Sequence, residues 1–235
     1  MVKYNVIVLA AGQGKRMKAG KNKQFIHLLD QPLIIHTVQN FIHDDWCKAV
    51  YLVVNPHERT EMEALFKPFP WFHRLQFVSG GSERQGSGFK GGLKAVQVDN
   101  PDEIVMVHDG GARPFIEQEH LHLLAETAQK QQAALLAVQV TDTIKQKTAT
   151  GVHSLDRSTL WAAQTPQAFH YQVITKAHEL AQEHGFLGTD DASLVEEYLP
   201  DQPVQIVEGS YQNVKLTTPE DIFRAEWILQ KRGDL

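Results

Sequence analysis

At 235 residues, 42% of them hydrophobic and 22% charged, the chain has the composition of one sizeable α/β domain and not of a disordered segment. A net charge of −5 removes the bulk electrostatic case for nucleic-acid binding. One cysteine, Cys47, excludes an intrachain disulfide; with no apolar run of membrane-spanning length and no signal peptide before the first strand, a cytoplasmic protein is expected.

Val6-Ile7-Val8-Leu9 is a short apolar run rich in β-branched residues, which predicts a strand buried on both faces. Ala10, Ala11, Gly12 and Gly14 follow, small enough for backbone to approach a ligand. Lys15, Arg16, Lys18, Lys21 and Lys23 then supply cations. Amides for geometry and cations for charge are what a phosphate-binding loop needs. It is neither of two familiar ones. The dinucleotide fingerprint wants glycine where Met17 stands, and in the P-loop count from Gly14 the Gly20-Lys21-Asn22 run falls one place late and lacks the hydroxyl. An ordinary strand–loop with exposed lysines is the alternative.

Pro32 followed by Leu33, Ile34, Ile35, Val38, Phe41 and Ile42 predicts a helix with proline in its first turn. Ala49 to Val54 reads as a strand, Glu58 to Phe66 as a helix, and Leu75 to Val78 as a strand entering Ser79-Gly80-Gly81. A helix is expected from Ser82 through Leu93 and Val96. Ile104 to Val107 is the next strand, ending at His108-Asp109-Gly110-Gly111. Leu121 to Ala128 reads as a helix and Ala134 to Val140 as a strand. This alternation predicts a Rossmann-like α/β fold, a mainly parallel sheet with helices on both faces, in a single domain spanning 1–235. The polar, hydroxyl-rich stretch Thr141 to Thr159 breaks the rhythm, with Thr150-Gly151 at its middle. It reads as a projecting β-hairpin arm, a plain surface loop being the alternative. Helices at Tyr171 to Glu183 and Asp191 to Tyr198 and short strands at Val204 to Val207 and Val214 to Leu216 follow. Thr218-Pro219-Glu220-Asp221 opens the last helix with an N-cap threonine.

In open α/β sheets ligands sit at the carboxyl ends of strands. Those ends carry the Gly12/Gly14 loop, then Gly80-Gly81-Ser82-Glu83-Arg84, then Asp109, Gly110, Gly111 and Arg113. An aspartate at a strand end next to phosphates suits magnesium, and a turn aspartate capping amides is the alternative for Asp109. Thr189-Asp190-Asp191 reads as a helix N-cap. His120 and His122 fall on different helix faces, and the twelve histidines show no metal-ligand spacing.

The stretches LAAGQGKRM, NKQF, GGSERQGS, VHDGGARPF, TDTIK, LDRSTLWAAQTPQAF, GTDDASLVE and VEGSYQNVKLTTPED together resemble the methylerythritol phosphate cytidylyltransferases of isoprenoid precursor synthesis, from Val6 to Asp221. The related pentitol-phosphate cytidylyltransferases, acting on ribitol phosphate, are the neighbouring alternative, and a non-catalytic nucleotide-binding domain is the rival from another class. The resemblance implies transfer of CMP from CTP to methylerythritol phosphate with Mg²⁺, in a homodimer whose arm, at about 141–159, completes the partner's site. It implies Arg16, Lys23 and Lys215 as the catalytic cations. Ala10, Ala11, Gly12, Gly14, Gly81, Arg84, Ser87 and Asp109 are implied around CTP, with Asp109 also at the metal. Arg113, Thr143, Arg157, Thr165 and Thr189 are implied around the sugar phosphate, joined there by Lys215. Neither nucleic acid nor membrane is an implied partner. Two positions depart from the family pattern. Gly110, Gly111 and Ala112 stand between Asp109 and Arg113 where the pattern has two residues, and Lys90-Gly91-Gly92-Leu93 carries an extra glycine. One residue spans about 3.3–3.6 Å, so Asp109 is expected to keep its place better than Arg113.

Overall fold

The structure is a computed structural model describing residues 1–12, 22–81, 84–86 and 91–232. Its centre is a seven-stranded sheet in the order β11-β7-β10-β6-β1-β4-β5. These strands are β1 (Tyr4–Leu9), β4 (Cys47–Val54), β5 (Leu75–Ser79), β6 (Ile104–His108), β7 (Ala133–Gln139), β10 (Trp161–His170) and β11 (Gln205–Glu208). β1 pairs in parallel with β4 and β6, β4 with β5, and β11 with β7, whereas β10 runs antiparallel between β6 and β7. Two small two-stranded sheets stand apart: β2 (His27–Leu28) with β3 (Gln31–Pro32), and β8 (Lys145–Thr148) with β9 (Gly151–Ser154).

Every residue of β1 is buried, so both of its faces are covered. Alternation sends Val6 and Val8 to one face and Ile7 and Leu9 to the other. On the first face Val6 and Val8 meet Ile34, Val38 and Phe41 of α1 (Leu33–Ile42), Met62 and Phe66 of α2 (Arg59–Phe66), and Leu121 and Leu124 of α4 (Gln118–Gln131). On the second, Ile7 and Leu9 share a cluster with Val173, Ile174 and Ala177 of α5 (Tyr171–His184) and Leu194 and Val195 of α6 (Ala192–Tyr198). Full burial of each such aliphatic side chain contributes about 1.5–3 kcal/mol. The last helix, α7 (Glu220–Arg232), closes a third cluster of Leu28, Leu33, Phe115, Leu216, Ala225 and Ile228. Its start is held by the Asp221 carboxylate, which accepts the Thr217 and Thr218 N–H groups at 2.7 and 2.8 Å. Among the described residues no helix is long and apolar enough to cross a membrane.

Three expectations change. The run from Ser82 to Val96 is not one helix: its described parts are a turn, α3 (Arg84–Gly86), and a 3₁₀ turn at Leu93–Ala95. Glycine replaces side chains where this segment crosses the sheet; a Cβ at Gly91 would meet the Ser79 carbonyl at 2.6 Å and one at Gly92 would meet Ile7 at 2.5 Å. Val214 to Leu216 is not a strand, because the Leu216 N–H goes to the Ala112 carbonyl at 2.7 Å instead of a sheet neighbour. Trp161–His170 is a strand that the residue pattern did not announce. The arm does pair as a hairpin, Lys145 opposite Ser154 and Thr148 opposite Gly151, with every residue of both strands exposed.

Candidate active site

From β1 the chain builds the sheet outward on one side through β4 and β5, then returns to place β6 on β1's other side. The crevice where strand order reverses therefore opens at the carboxyl ends of β1 and β6. β1 delivers Ala10, Ala11 and Gly12; the Ala10 N–H is held by the Val53 carbonyl at 2.8 Å. β6 delivers His108 and Asp109.

Asp109 opens a tight turn, Gly110–Ala112, in which Gly110 takes φ +61°. A Cβ at Gly110 would fall 2.4 Å from the Leu9 carbonyl oxygen, so glycine is required for backbone and backbone to meet here. Lys215 Nζ reaches Asp109 Oδ2 at 2.7 Å; the lysine side chain is 43% exposed and the aspartate 10%. Cation and carboxylate thus meet at the mouth of the crevice, 106 residues apart in sequence.

Behind Asp109 lies a directed hydrogen-bond chain. His108 is fully buried, and burial pushes its imidazole down to about 4, so the ring is neutral. Its Nε2 faces the Arg113 carbonyl at 3.0 Å and must be the protonated nitrogen. Nδ1 therefore accepts from the Thr165 hydroxyl at 3.1 Å, and that hydroxyl accepts the Asp109 N–H at 3.2 Å. Arg113 is also buried; Nη1 donates to the Asn213 carbonyl at 2.5 Å and Nη2 to the Ala163 carbonyl at 3.3 Å. Burial lowers its pKa from the ordinary value, with Asp109 opposing the shift. Asn213 in turn donates to the Thr165 carbonyl at 3.0 Å and Gln164 Oε1 at 3.2 Å, which fixes the backbone two residues before Lys215.

The structure thus brings Asp109, Lys215 and Thr165 together by direct contacts, with Arg113 linked to them through His108 and Asn213. Lys23 joins them through its neighbour: Gln24 Oε1 accepts the Gly111 N–H at 2.8 Å. Thr189 lies exposed on a loop anchored by Gln167, which donates to Asp190 Oδ2 at 2.7 Å and accepts the Ala192 N–H at 3.0 Å. Gly81 follows β5, and Arg84 opens the short turn beyond it. Thr143 and Arg157 are exposed at the base of the arm, where Arg157 Nη1 donates to the Thr141 carbonyl at 2.6 Å. Gly14, Arg16 and Ser87 lie outside the described residues.

The residue pattern missed the side-chain amides that tie these loops together: Gln24, Gln85, Gln167 and Asn213. Gln85 donates to the Phe186 carbonyl at 3.0 Å and accepts the Gly188 N–H at 3.0 Å. Each amide sits within two residues of a candidate site residue, beside Lys23, Arg84, Thr165 and Lys215 respectively. That recurrence is the signal that would have found them.

Asp109 is the carboxylate at the mouth of this crevice. Among the described residues no three His, Cys, Asp or Glu side chains gather as a metal-binding group. A single carboxylate at the mouth of an open crevice is a donor set that Mg²⁺ can use, since it takes one or two protein oxygens and completes its shell with phosphates and water. The residues fit that ion.

A profile of the 2-C-methyl-D-erythritol 4-phosphate cytidylyltransferases matches residues 4–231. The chain belongs to this family. It is 52% identical over 230 residues to the 2-C-methyl-D-erythritol 4-phosphate cytidylyltransferase of Geobacillus thermodenitrificans, covering 97% of this chain and 98% of the other. It is 51% identical over 232 residues to that of Shouchella clausii, covering 98% of each. The crystal structure of 4-diphosphocytidyl-2C-methyl-D-erythritol synthase from Anaerococcus prevotii superposes with a TM-score of 0.85 at 27% identity, over 97% of this chain and 96% of the other. The 2-C-methyl-D-erythritol 4-phosphate cytidylyltransferase of Thermus thermophilus gives 0.77 at 28% identity, over 98% and 100%. The fold and the family resemblance expected from the sequence both stand.

Proposed function

We propose that the protein transfers the cytidylyl group of CTP to 2-C-methyl-D-erythritol 4-phosphate, giving 4-diphosphocytidyl-2-C-methyl-D-erythritol and pyrophosphate, in isoprenoid precursor synthesis. The observation that carries this reading is the Lys215–Asp109 pair at the crevice between β1 and β6, in a chain whose family match runs nearly end to end.

An oxygen of the substrate's phosphate monoester attacks the α-phosphorus of CTP, and the bond to the β-phosphate oxygen breaks as pyrophosphate leaves in line. A phosphate monoester has its second pKa near 6, so the attacking oxygen is ionised at neutral pH and no general base is needed. The neutral, fully engaged His108 accords with that: it holds Thr165 and the Arg113 carbonyl and has no proton to exchange with substrate. The remaining barrier is the approach of two anions and the charge on the equatorial oxygens, which fixed cations offset. Lys215, Lys23 and Arg16 supply those cations. Arg113 adds positive charge beside the site, with Nη1 and Nη2 donating to main-chain carbonyls. Asp109 and the triphosphate would hold Mg²⁺, which when bound neutralises phosphate charge. By the family resemblance Ala10, Ala11, Gly12 and Gly14 are assigned to the phosphates, and Gly81, Arg84 and Ser87 to the cytidine. Thr143, Thr165, Thr189 and the partner's arm, through Arg157, enclose the sugar phosphate in a homodimer. The arm's two wholly exposed strands and its outward Val152 suit such a crossing.

Product formation followed by ³¹P NMR tests this. A cytidine diphosphate diester and pyrophosphate should appear together with CTP, 2-C-methyl-D-erythritol 4-phosphate and Mg²⁺, and neither after EDTA. Turnover without added metal in the presence of EDTA would remove Asp109 from the metal role.

A further inference from the structure

We infer that Gln24 is a positioning residue for the transfer reaction, holding the Lys23 segment against the Asp109 turn through one buried amide. The inference rests on the cytidylyltransferase reading above.

Each end of the Gly110–Ala112 turn is tied to a different part of the site. The Asp109 N–H goes to Thr165, the Gly110 carbonyl accepts from the Thr37 hydroxyl at 3.2 Å, the Gly111 N–H goes to Gln24 and the Ala112 carbonyl accepts the N–H of Leu216, next to Lys215. Of these ties, the one through Gln24 leads directly to the Lys23 segment. Gln24 is 1% exposed, in the 3₁₀ turn Lys23–Phe25. Its own N–H is capped by Asn22 Oδ1 at 3.2 Å, and Asn22 is held in turn by Glu58 Oε2 at 2.7 Å. The acceptor oxygen therefore has a fixed origin. The glycine opposite is shaped to it: a Cβ at Gly111 would stand 2.7 Å from Gln24 Oε1 and 3.2 Å from the Ile34 nitrogen. A buried side chain with a capped backbone, a single acceptor and a partner glycine with little room for a Cβ is a built contact. Its neighbours, Lys23 on one side and Asp109 two residues from Gly111, are the groups whose spacing decides where the triphosphate sits.

Gln24→Leu keeps the volume and removes the acceptor. Gly111→Ala places a methyl against the same amide oxygen from the other side. Both, made alone and together with Lys23→Ala, are assayed for pyrophosphate release with CTP, 2-C-methyl-D-erythritol 4-phosphate and Mg²⁺, per folded molecule. Each single variant should lose about 10–100-fold in kcat with KM for the sugar phosphate within about 3-fold. In the Lys23→Ala background, each should cost less than about 3-fold more, because the group it positions is already gone. Full multiplication of the single losses in the double variants would overturn the inference, as would unchanged kcat. If Gln24→Leu does not fold, Gly111→Ala decides by the same two outcomes. An inactive wild-type enzyme would instead refute the assigned reaction, which keeps the two failures apart.

Discussion

Lys215 gives the sharpest separation between catalysis and stability. Its ammonium stands 2.7 Å from the Asp109 carboxylate, and its side chain is 43% exposed. An ion pair that open to water contributes only about 0–1 kcal/mol to folding. In a chain of this size that corresponds to a fall in Tm of at most about 2–4 °C on Lys215→Ala. A preorganised cation acting on transition-state charge contributes far more, about 10²–10³ in kcat or roughly 2.7–4 kcal/mol. The variant should therefore melt almost like wild type and turn over hundreds of times more slowly, with KM for CTP little changed. Pyrophosphate release at saturating substrates, beside a calorimetric melt of the same preparation, reads both numbers. A large rise in KM at unchanged kcat would show that Lys215 binds ground state and transition state alike, and would refute the catalytic assignment. A fall in Tm beyond about 10 °C would mean that the pair is part of the fold's frame.

In the proposed homodimer, Arg157→Ala and Lys23→Ala chains should each be poor enzymes alone. After subunit exchange they should recover about a quarter of wild-type activity, because about half the dimers are mixed and one of their two sites is intact; no recovery would return the arm to a surface loop. Gly110→Ala should destabilise by about 2–4 kcal/mol, since its φ of +61° disfavours alanine and the added Cβ would meet the Leu9 carbonyl oxygen at 2.4 Å; an unchanged urea midpoint would show that the turn yields freely. Burial raises the Cys47 thiol from 9.0 to about 12, so at pH 8 its alkylation in the native state should be about a thousandfold slower than in urea, and rapid native labelling would contradict that burial.

The parts of the fold legible in the sequence were those whose residues respond to a single neighbour layer. The apolar runs at residues 6–9, 49–54 and 104–107 in β1, β4 and β6 follow from helices covering both faces of these strands, and α1 and α4 carry their buried residues at helical spacing. β10 was not legible. It begins with exposed Ala162 and Ala163, then carries buried Gln164, Thr165 and Gln167 around Pro166, and its register against β7 breaks between Ala163 and Gln167. Proline and polar residues in a central strand read as loop, because the partners that satisfy them, Asn213, His108 and Asp190, are distant in sequence. The candidate site followed the same rule. Asp109, Lys215 and Thr165 were marked by motif and do converge on one crevice. Arg113 was marked for the sugar phosphate; its Nη1 and Nη2 donate to two main-chain carbonyls, an arrangement set by loops that no local pattern encodes. The turn that precedes Arg113 packs closely, a Cβ at Gly110 meeting the Leu9 carbonyl oxygen at 2.4 Å and one at Gly111 meeting Gln24 Oε1 at 2.7 Å.

The central claim is the choice of nucleotide and of acceptor. Pyrophosphate release should be measured with each of CTP, ATP, GTP and UTP, offering 2-C-methyl-D-erythritol 4-phosphate and ribitol 5-phosphate separately at equal concentration with Mg²⁺. The account predicts rapid release with CTP and 2-C-methyl-D-erythritol 4-phosphate alone. Equal or faster turnover of ribitol 5-phosphate, or no release with any of the eight pairs, would contradict it.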